Sequence, residues 1–79
     1  MISEKEYELI LIEIGLKIGY YRRKSGMTQA ELAEHADISL SFLSQLESPN
    51  LAYCPSIKSL FKIAKALGIK ASRLIDLDD

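Results

Sequence analysis

The sequence predicts an all-α fold, a compact bundle of five helices whose first helix is extended. Apolar residues recur at spacings of three and four along the whole chain, and no segment alternates with the period of a strand. Two capping boxes, Ser3 with Glu6 and Thr28 with Glu31, mark helix starts. Because 79 residues leave room for one core, we expect a single domain over residues 1–79.

The first helix is predicted to begin at Ser3 and to end at residues 24–25, with Gly26 in the left-handed conformation beyond it. One apolar face carries Tyr7, Ile10, Ile14, Ile18 and Tyr21. A second face carries Leu9, Ile12, Leu16 and Tyr20. A helix that is apolar on two sides must bury both or offer one to a partner, so we expect a subunit interface here. Two interior glycines, Gly15 and Gly19, predict close approach of another backbone.

The second helix opens at Thr28 and directs Leu32, Ala33 and Ala36 inward. Asp37 then predicts a tight turn, because aspartate tolerates the left-handed backbone better than most residues. Ser39 caps a third helix, which buries Leu43 and Leu46 behind Ile38. Two short helices that cross through a tight turn, with a small residue in the first, predict a helix-turn-helix over residues 28–47. Its outward side carries Leu40, Ser41, Ser44 and Gln45.

The remainder is predicted to be a loop and two further helices. Ser48-Pro49-Asn50 ends the third helix, and residues 48–55 form the loop. The fourth helix begins at Pro55 or Ser56 and stops at Gly68, and a short fifth helix spans residues 71–77.

Charge is distributed unevenly around a net value of −1. Residues 28–47 carry four acidic and no basic side chains, whereas residues 48–75 carry five basic and none acidic. No apolar run reaches the length of a membrane span, and no signal-like segment opens the chain. The single cysteine, Cys54, fits a reducing compartment. We therefore expect a cytoplasmic protein with no membrane association.

The residue pattern argues against an enzyme. It contains no nucleophile–histidine–carboxylate set, no paired metal ligands and no glycine-rich phosphate loop. His35 has no metal-ligand neighbours and is interpreted as a surface residue. Cys54 has no flanking cationic cluster and is interpreted as an unreactive thiol. We expect no catalytic residue, no metal site and no cofactor.

Four segments together resemble one family. They run from Ile14 to Arg22, from Gly26 to Ala33, from Ile38 to Glu47 and from Pro55 to Gly68. In order and spacing they resemble the Xre family, the Cro and phage-repressor helix-turn-helix domains, over roughly residues 13–76. The resemblance implies a lambda-repressor-like DNA-binding domain to which residues 3–13 add an N-terminal helical extension.

The resemblance also implies which residues contact DNA. The third helix would lie in the major groove, where Gln45 can pair with adenine and Leu40 can touch a thymine methyl. Phosphates would lie at the N-termini of the second and fourth helices, near Gln29 and Lys58. The full set of expected DNA-binding residues is Gln29, Ser39, Leu40, Ser41, Ser44, Gln45, Asn50 and Lys58. Arg22 and Glu47 match a buried structural ion pair of the family.

The chain departs from the family pattern in three places. Asp37 stands where glycine is usual, and the loop of residues 48–54 is about two residues longer than common. The third helix carries no Lys or Arg, and phosphate contacts made by cations supply much of the affinity for DNA. We expect modest affinity, with two half-sites bound together compensating. Lys17, Arg23, Lys24 and Lys58 are the candidate cations.

Two functions follow from these observations. The first is a sequence-specific transcription regulator, a repressor or autoregulator, that binds double-stranded DNA as a homodimer. The second is a protein-interaction module, such as an antitoxin or accessory subunit, that keeps the fold and binds a protein partner with weak or no DNA binding. The acidic middle segment and the two-sided first helix favour the second hypothesis, and the family resemblance favours the first.

Overall fold

Five α-helices make up the computed structural model, which describes residues 1–75. They are α1 (Glu4–Lys24), α2 (Gln29–Ala36), α3 (Leu40–Glu47), α4 (Ile57–Leu67) and α5 (Ser72–Ile75). No strand occurs in this described part of the chain, and the all-α prediction is confirmed. The predicted end of the last helix, at Leu77, lies outside the described residues. None of the described helices is both long enough and apolar enough to span a bilayer.

Local side-chain chemistry sets the helix ends. Four residues cap the N-termini, each accepting a hydrogen bond from the amide three residues on: Ser3, Thr28, Ser39 and Ser56. Ser3 and Thr28 complete reciprocal capping boxes with Glu6 and Glu31, as predicted. Left-handed residues end three helices: Gly26 (φ 77°), Asp37 (φ 57°) and Gly68 (φ 72°). At each, the next residue's amide bonds back to a carbonyl of the last turn, the pattern of a Schellman motif.

One apolar core joins the five helices. Ile18, Leu32, Leu43, Ile63 and Leu74 are completely buried within it, and each lies on a different helix. The core continues through Ile14, Ala33, Ala36, Leu46, Leu60, Ala64 and Leu67. Packing of α2 on both α3 and α4, and of α1 on α3, holds the helix-turn-helix between the first and fourth helices.

The contact between α1 and α3 depends on a glycine. A methyl group at position 15 would overlap the backbone carbonyl oxygen of Leu46, in the last turn of α3. The predicted close approach of a second backbone is therefore observed at Gly15. Gly19 differs, because a methyl group there would lie 3.1 Å from side-chain atoms of Arg23 and Glu47. Only Gly15 sets a backbone-to-backbone distance between the two helices.

The second apolar face of α1 stays largely outside the core. Leu9 is 58% exposed, Leu16 46% and Tyr20 53%, while Ile12 is half-buried. By contrast Leu11, Ile14 and Ile18 on the other side are buried. Within the described part of the chain, no other element covers this second face.

We expect Gly15→Ala to lower the free energy of unfolding by about 1–3 kcal/mol. The gain in helix propensity is smaller than the cost of pushing α3 away from α1. Urea denaturation followed by circular dichroism measures the change. Gly19→Ala is the matched control, because a methyl group there meets side-chain atoms at 3.1 Å, a shift of a few tenths of an ångström, and not a backbone carbonyl, so its cost should be clearly smaller. Equal stability of the two variants would contradict the assigned role of Gly15.

Acid should weaken the cap of α2. The pKa of Glu31 lies below its ordinary value of 4.5, because the backbone N–H and the hydroxyl of Thr28 favour the charged carboxylate, with a smaller contribution from His35. A depressed folded pKa stabilises the fold above pH 4.5, and that stability is lost as the pH falls through the folded value. Glu31→Gln keeps an acceptor but does not titrate.

Urea unfolding between pH 3 and pH 7 should therefore show that the free energy of unfolding falls less steeply on the acid side for Glu31→Gln than for the unchanged protein. Glu34→Gln, at an exposed carboxylate outside the capping boxes, serves as the control and should keep the steep loss. A Glu31→Gln profile parallel to that of the unchanged protein would show that the cap does not contribute.

Candidate nucleic-acid interface

The third helix presents a polar, uncharged face to solvent. Leu43 and Leu46 anchor its inner side in the core. The exposed side chains are Ser39 at the cap, then Leu40, Ser41, Ser44 and Gln45. The one charged residue of α3, Glu47, is turned inward. The exposed face therefore carries hydroxyls, a carboxamide and one apolar side chain, and has no charged group of its own.

An ion pair fastens the end of α3 to α1. The Arg22 guanidinium donates from Nε and Nη2 to the Glu47 carboxylate, with its shortest contact at 2.8 Å. The two side chains are only 13% and 6% exposed. Arg22 also donates from Nη1 to the carbonyl of Met27, just before α2. The pair therefore ties α1, the start of α2 and the end of α3 together at one point.

Gln29 joins this network. Its Nε2 donates to Glu47 Oε1 at 3.1 Å, and its Oε1 accepts from the Ser44 hydroxyl at 3.0 Å. The sequence predicts that Gln29 contacts a phosphate. In the structure its carboxamide forms hydrogen bonds that link α2 to α3. The second hydrogen of Nε2 and the Gln29 backbone amide form no hydrogen bond among the described residues, so the predicted phosphate contact stays a prediction.

Free backbone donors remain at the N-termini of α2 and α4, as they do at those of α1 and α3. At α2, the Thr28 cap takes the amide of Glu31, which leaves the amides of Gln29 and Ala30 without an acceptor among the described residues. At α4, the Ser56 cap takes the amide of Ser59 and leaves those of Ile57 and Lys58 in the same state. Free amides together with the positive end of the helix dipole favour a bound anion.

The loop between α3 and α4 is fastened to α3 by an aromatic contact. The rings of Phe42 and Tyr53 meet edge to face, with centroids 5.6 Å apart. Asn50 lies in a turn made by Ser48, and its side chain is exposed. The sequence did not identify the Phe42–Tyr53 contact. The only sequence signal for this contact is weak: an aromatic residue within the loop.

Two of the four acidic residues in the middle of the chain have a basic partner. Glu47 is paired with Arg22, and Glu31 accepts from the Thr28 amide. Asp37 lies 3.8 Å from Lys62 of α4. Lys58 is exposed at the first turn of α4 and forms no ion pair among the described residues. Pairing therefore offsets two of the segment's four carboxylates, whereas Glu31 and Glu34 are exposed and have no basic partner among the described residues.

We expect Arg22→Met to cost about 3–5 kcal/mol of unfolding free energy, because it leaves the buried Glu47 carboxylate without its counter-charge. Urea denaturation measures the loss, and Arg22→Met with Glu47→Leu should recover part of it. Lys62→Met, which breaks the exposed pair with Asp37, is the control and should cost less than about 1 kcal/mol. Equal costs for the two single variants would contradict a structural role for the buried pair.

Comparison with known proteins places this arrangement in a family. Residues 18–74 match the model of a family described as helix-turn-helix. The chain is 40% identical over 63 residues to the HTH-type transcriptional regulator SinR of Bacillus subtilis, covering 80% of this chain and 56% of SinR. It is 37% identical over 62 residues to the immunity repressor protein of Bacillus phage phi105, covering 78% of this chain and 42% of that protein.

A solved structure agrees with both matches. The crystal structure of SinR, described as the master regulator for biofilm formation, in complex with DNA superposes with a TM-score of 0.74 at 40% identity. The match covers 80% of this chain and 98% of the crystallised one. The chain spans about half the length of the curated relatives named above, so the shared part is the helix-turn-helix region. The chain belongs to the Xre-type helix-turn-helix family, whose members matched here are transcription regulators.

Proposed function

We propose that this protein is a sequence-specific, duplex-DNA-binding transcription regulator, a repressor or autoregulator, that acts as a homodimer. One observation carries the proposal: the exposed, uncharged face of α3 is held rigidly by the core on one side and by Arg22 and Glu47 at its end. A helix of this kind fits the major groove of B-DNA, with its N-terminal residues against base edges.

The side chains on that face suit base recognition. Gln45 can donate to and accept from one adenine, and Ser41 can contact several bases. Leu40 is 48% exposed and offers an apolar contact of the kind that a thymine methyl accepts. The Ser39 oxygen accepts the amide of Phe42, so its own proton stays available to an acceptor on DNA.

Backbone groups and one cation would hold the phosphates. The free amides at the start of α2 and of α4 provide two anion sites on either side of α3 in the chain. Lys58 adds a positive charge to the second site, and the exposed Asn50 side chain adds a donor from the loop. The Ser44 hydroxyl donates to Gln29 Oε1, and its oxygen can still accept a hydrogen bond from a base amino group.

The comparisons support regulation through DNA. SinR was crystallised with DNA, and the phage relative is named an immunity repressor. An uncharged recognition helix releases few counterions, so one copy should bind weakly. Two copies on half-sites about 34 Å apart would add their contacts and raise both affinity and sequence preference.

The first test is selection from a random duplex library at about 50–100 mM salt. We expect enrichment of a site with two-fold symmetry. Gln45→Ala should then weaken binding by about 1–3 kcal/mol and relax the preference at one base pair in each half-site. Lys65→Ala, at an exposed lysine in the last turn of α4, is the control and should leave the preference unchanged.

Salt dependence separates phosphate contacts from base contacts. Lys58→Ala should lower the slope of log affinity against log salt by about one unit per half-site and leave the base preference intact. If no duplex is enriched even at low salt, the DNA-binding proposal is wrong and the protein-interaction hypothesis takes its place.

A further inference from the structure

The second apolar face of α1 has the features of a self-association surface. We call its residues the α1 stripe: Leu9, Ile12, Leu16 and Tyr20. At about 100° per residue they lie within an arc of about 80°. Three of the four are about half exposed, so a substantial apolar area stays in contact with water in the single chain. A domain of this size gains much from covering such an area.

Charges along one edge of the stripe follow a two-fold pattern. Glu6, Glu13, Lys17 and Lys24 lie within an arc of about 40° beside it. The two acidic residues belong to the N-terminal half of α1 and the two basic ones to the C-terminal half. Glu6 and Lys24 are equidistant from residue 15, and so are Glu13 and Lys17. The edge is therefore complementary to itself when the helix is reversed about its middle.

This pattern selects both the partner and its direction. A second copy laid antiparallel across the stripe brings its Lys24 to Glu6 and its Lys17 to Glu13, and the same two pairs recur at the other end. The apolar residues then meet as Leu9 against Tyr20 and Ile12 against Leu16. A parallel copy would instead set this edge against the opposite edge of the partner's stripe, where Glu8 lies, and the reciprocal acid–base pairs would not form.

Each of the four charged residues has a group left for such contacts: Glu6 accepts the Ser3 amide through Oε1 in the capping box, and its Oε2 forms no hydrogen bond among the described residues. Within the described residues, the ion pairs are Arg22–Glu47 and Lys62–Asp37, so neither Glu13 nor Lys17 is engaged in one. Lys24 holds its ammonium 5.8 Å from the centroid of the Tyr20 ring, at the edge of the stripe. A helix of 21 residues is about 32 Å long, close to the 36 Å maximum extent of the molecule. A contact along α1 therefore runs the length of the subunit.

We propose that a second copy of this chain docks antiparallel on the α1 stripe, with Glu6 and Glu13 of each copy facing Lys24 and Lys17 of the other. The inference rests on the proposed function, because it names the surface through which the homodimer forms. The interface is isologous, and its two-fold axis crosses α1 at the level of residue 15 along the helix.

Charge reversal tests the pairing, with sedimentation equilibrium as the measurement. Glu13→Lys and Lys17→Glu should each raise the dimer dissociation constant about tenfold, because two attractive contacts become repulsive in each dimer. An equimolar mixture of the two variants should recover most of the affinity, since every contact between unlike chains is again attractive. Repulsion within a single helix cannot be relieved by mixing. Unchanged dissociation constants, or no recovery on mixing, would overturn the proposal.

Cross-linking tests the direction. In a Cys54→Ser background, which removes the only native cysteine, Leu9→Cys and Tyr20→Cys are made on separate chains. Under a mild oxidant we expect a disulfide when the two chains are mixed and none from either alone. Cross-linking of each variant with itself would indicate a parallel pair and would overturn the antiparallel arrangement.

A second exposed apolar pair, Ile57 and Phe61 on α4, provides the control surface, with exposures of 69% and 61%. Leu16→Ser should dissociate the dimer, and Phe61→Ser should leave it intact. The opposite result would overturn the proposal.

The two proposals can fail separately. A dimer through α1 that enriches no duplex would refute only the DNA-binding function. A protein that binds its selected site but stays monomeric would refute only the α1 interface.

Discussion

The backbone contact between Gly15 of α1 and the Leu46 carbonyl of α3 sets the distance at which the recognition helix sits on the first helix. Any side chain at position 15 would push the last turn of α3 outward. With that turn in place, Leu43 and Leu46 reach the core and the opposite face of α3 is left to solvent. The surface proposed to contact DNA is thus positioned from behind, by a residue that has no side chain.

The ion pair between Arg22 and Glu47 acts at the same end of α3 for a different reason. Two charges that are nearly buried contribute little net stability, because desolvation offsets much of their attraction. Their geometry is nevertheless restrictive, since Glu47 also accepts from Gln29, which in turn accepts from Ser44. A shift of α3 along its axis would break several hydrogen bonds at once. The pair also withdraws the only negative charge of α3 from the exposed face.

The first helix links the proposed DNA site to the proposed dimer contact. One side of α1 carries Gly15 and Arg22, which hold α3, and another side carries the α1 stripe. Because a single rigid helix bears both surfaces, the position of α3 relative to a second copy follows from α1 alone. A dimer formed in this way would keep a fixed spacing between its two recognition helices, as a site with two half-sites requires.

Much of this arrangement could be predicted from the sequence because it depends on local chemistry. The caps at Ser3 and Thr28, the left-handed turn at Asp37 and the stop at Gly68 all involve residues within five positions of one another. Helical spacing also separated the buried from the exposed side of α3. The family resemblance was carried by the same local signals, in order along the chain.

The sequence alone therefore determined the helices, their ends, the helix-turn-helix and the two-sided character of α1. Only the tertiary structure decided which partner each long polar or aromatic side chain takes. Gln29 braces α3, and Tyr53 packs on Phe42. These contacts join residues from 11 to 18 positions apart, and helical periodicity says which face a residue lies on but not which distant atom it will meet.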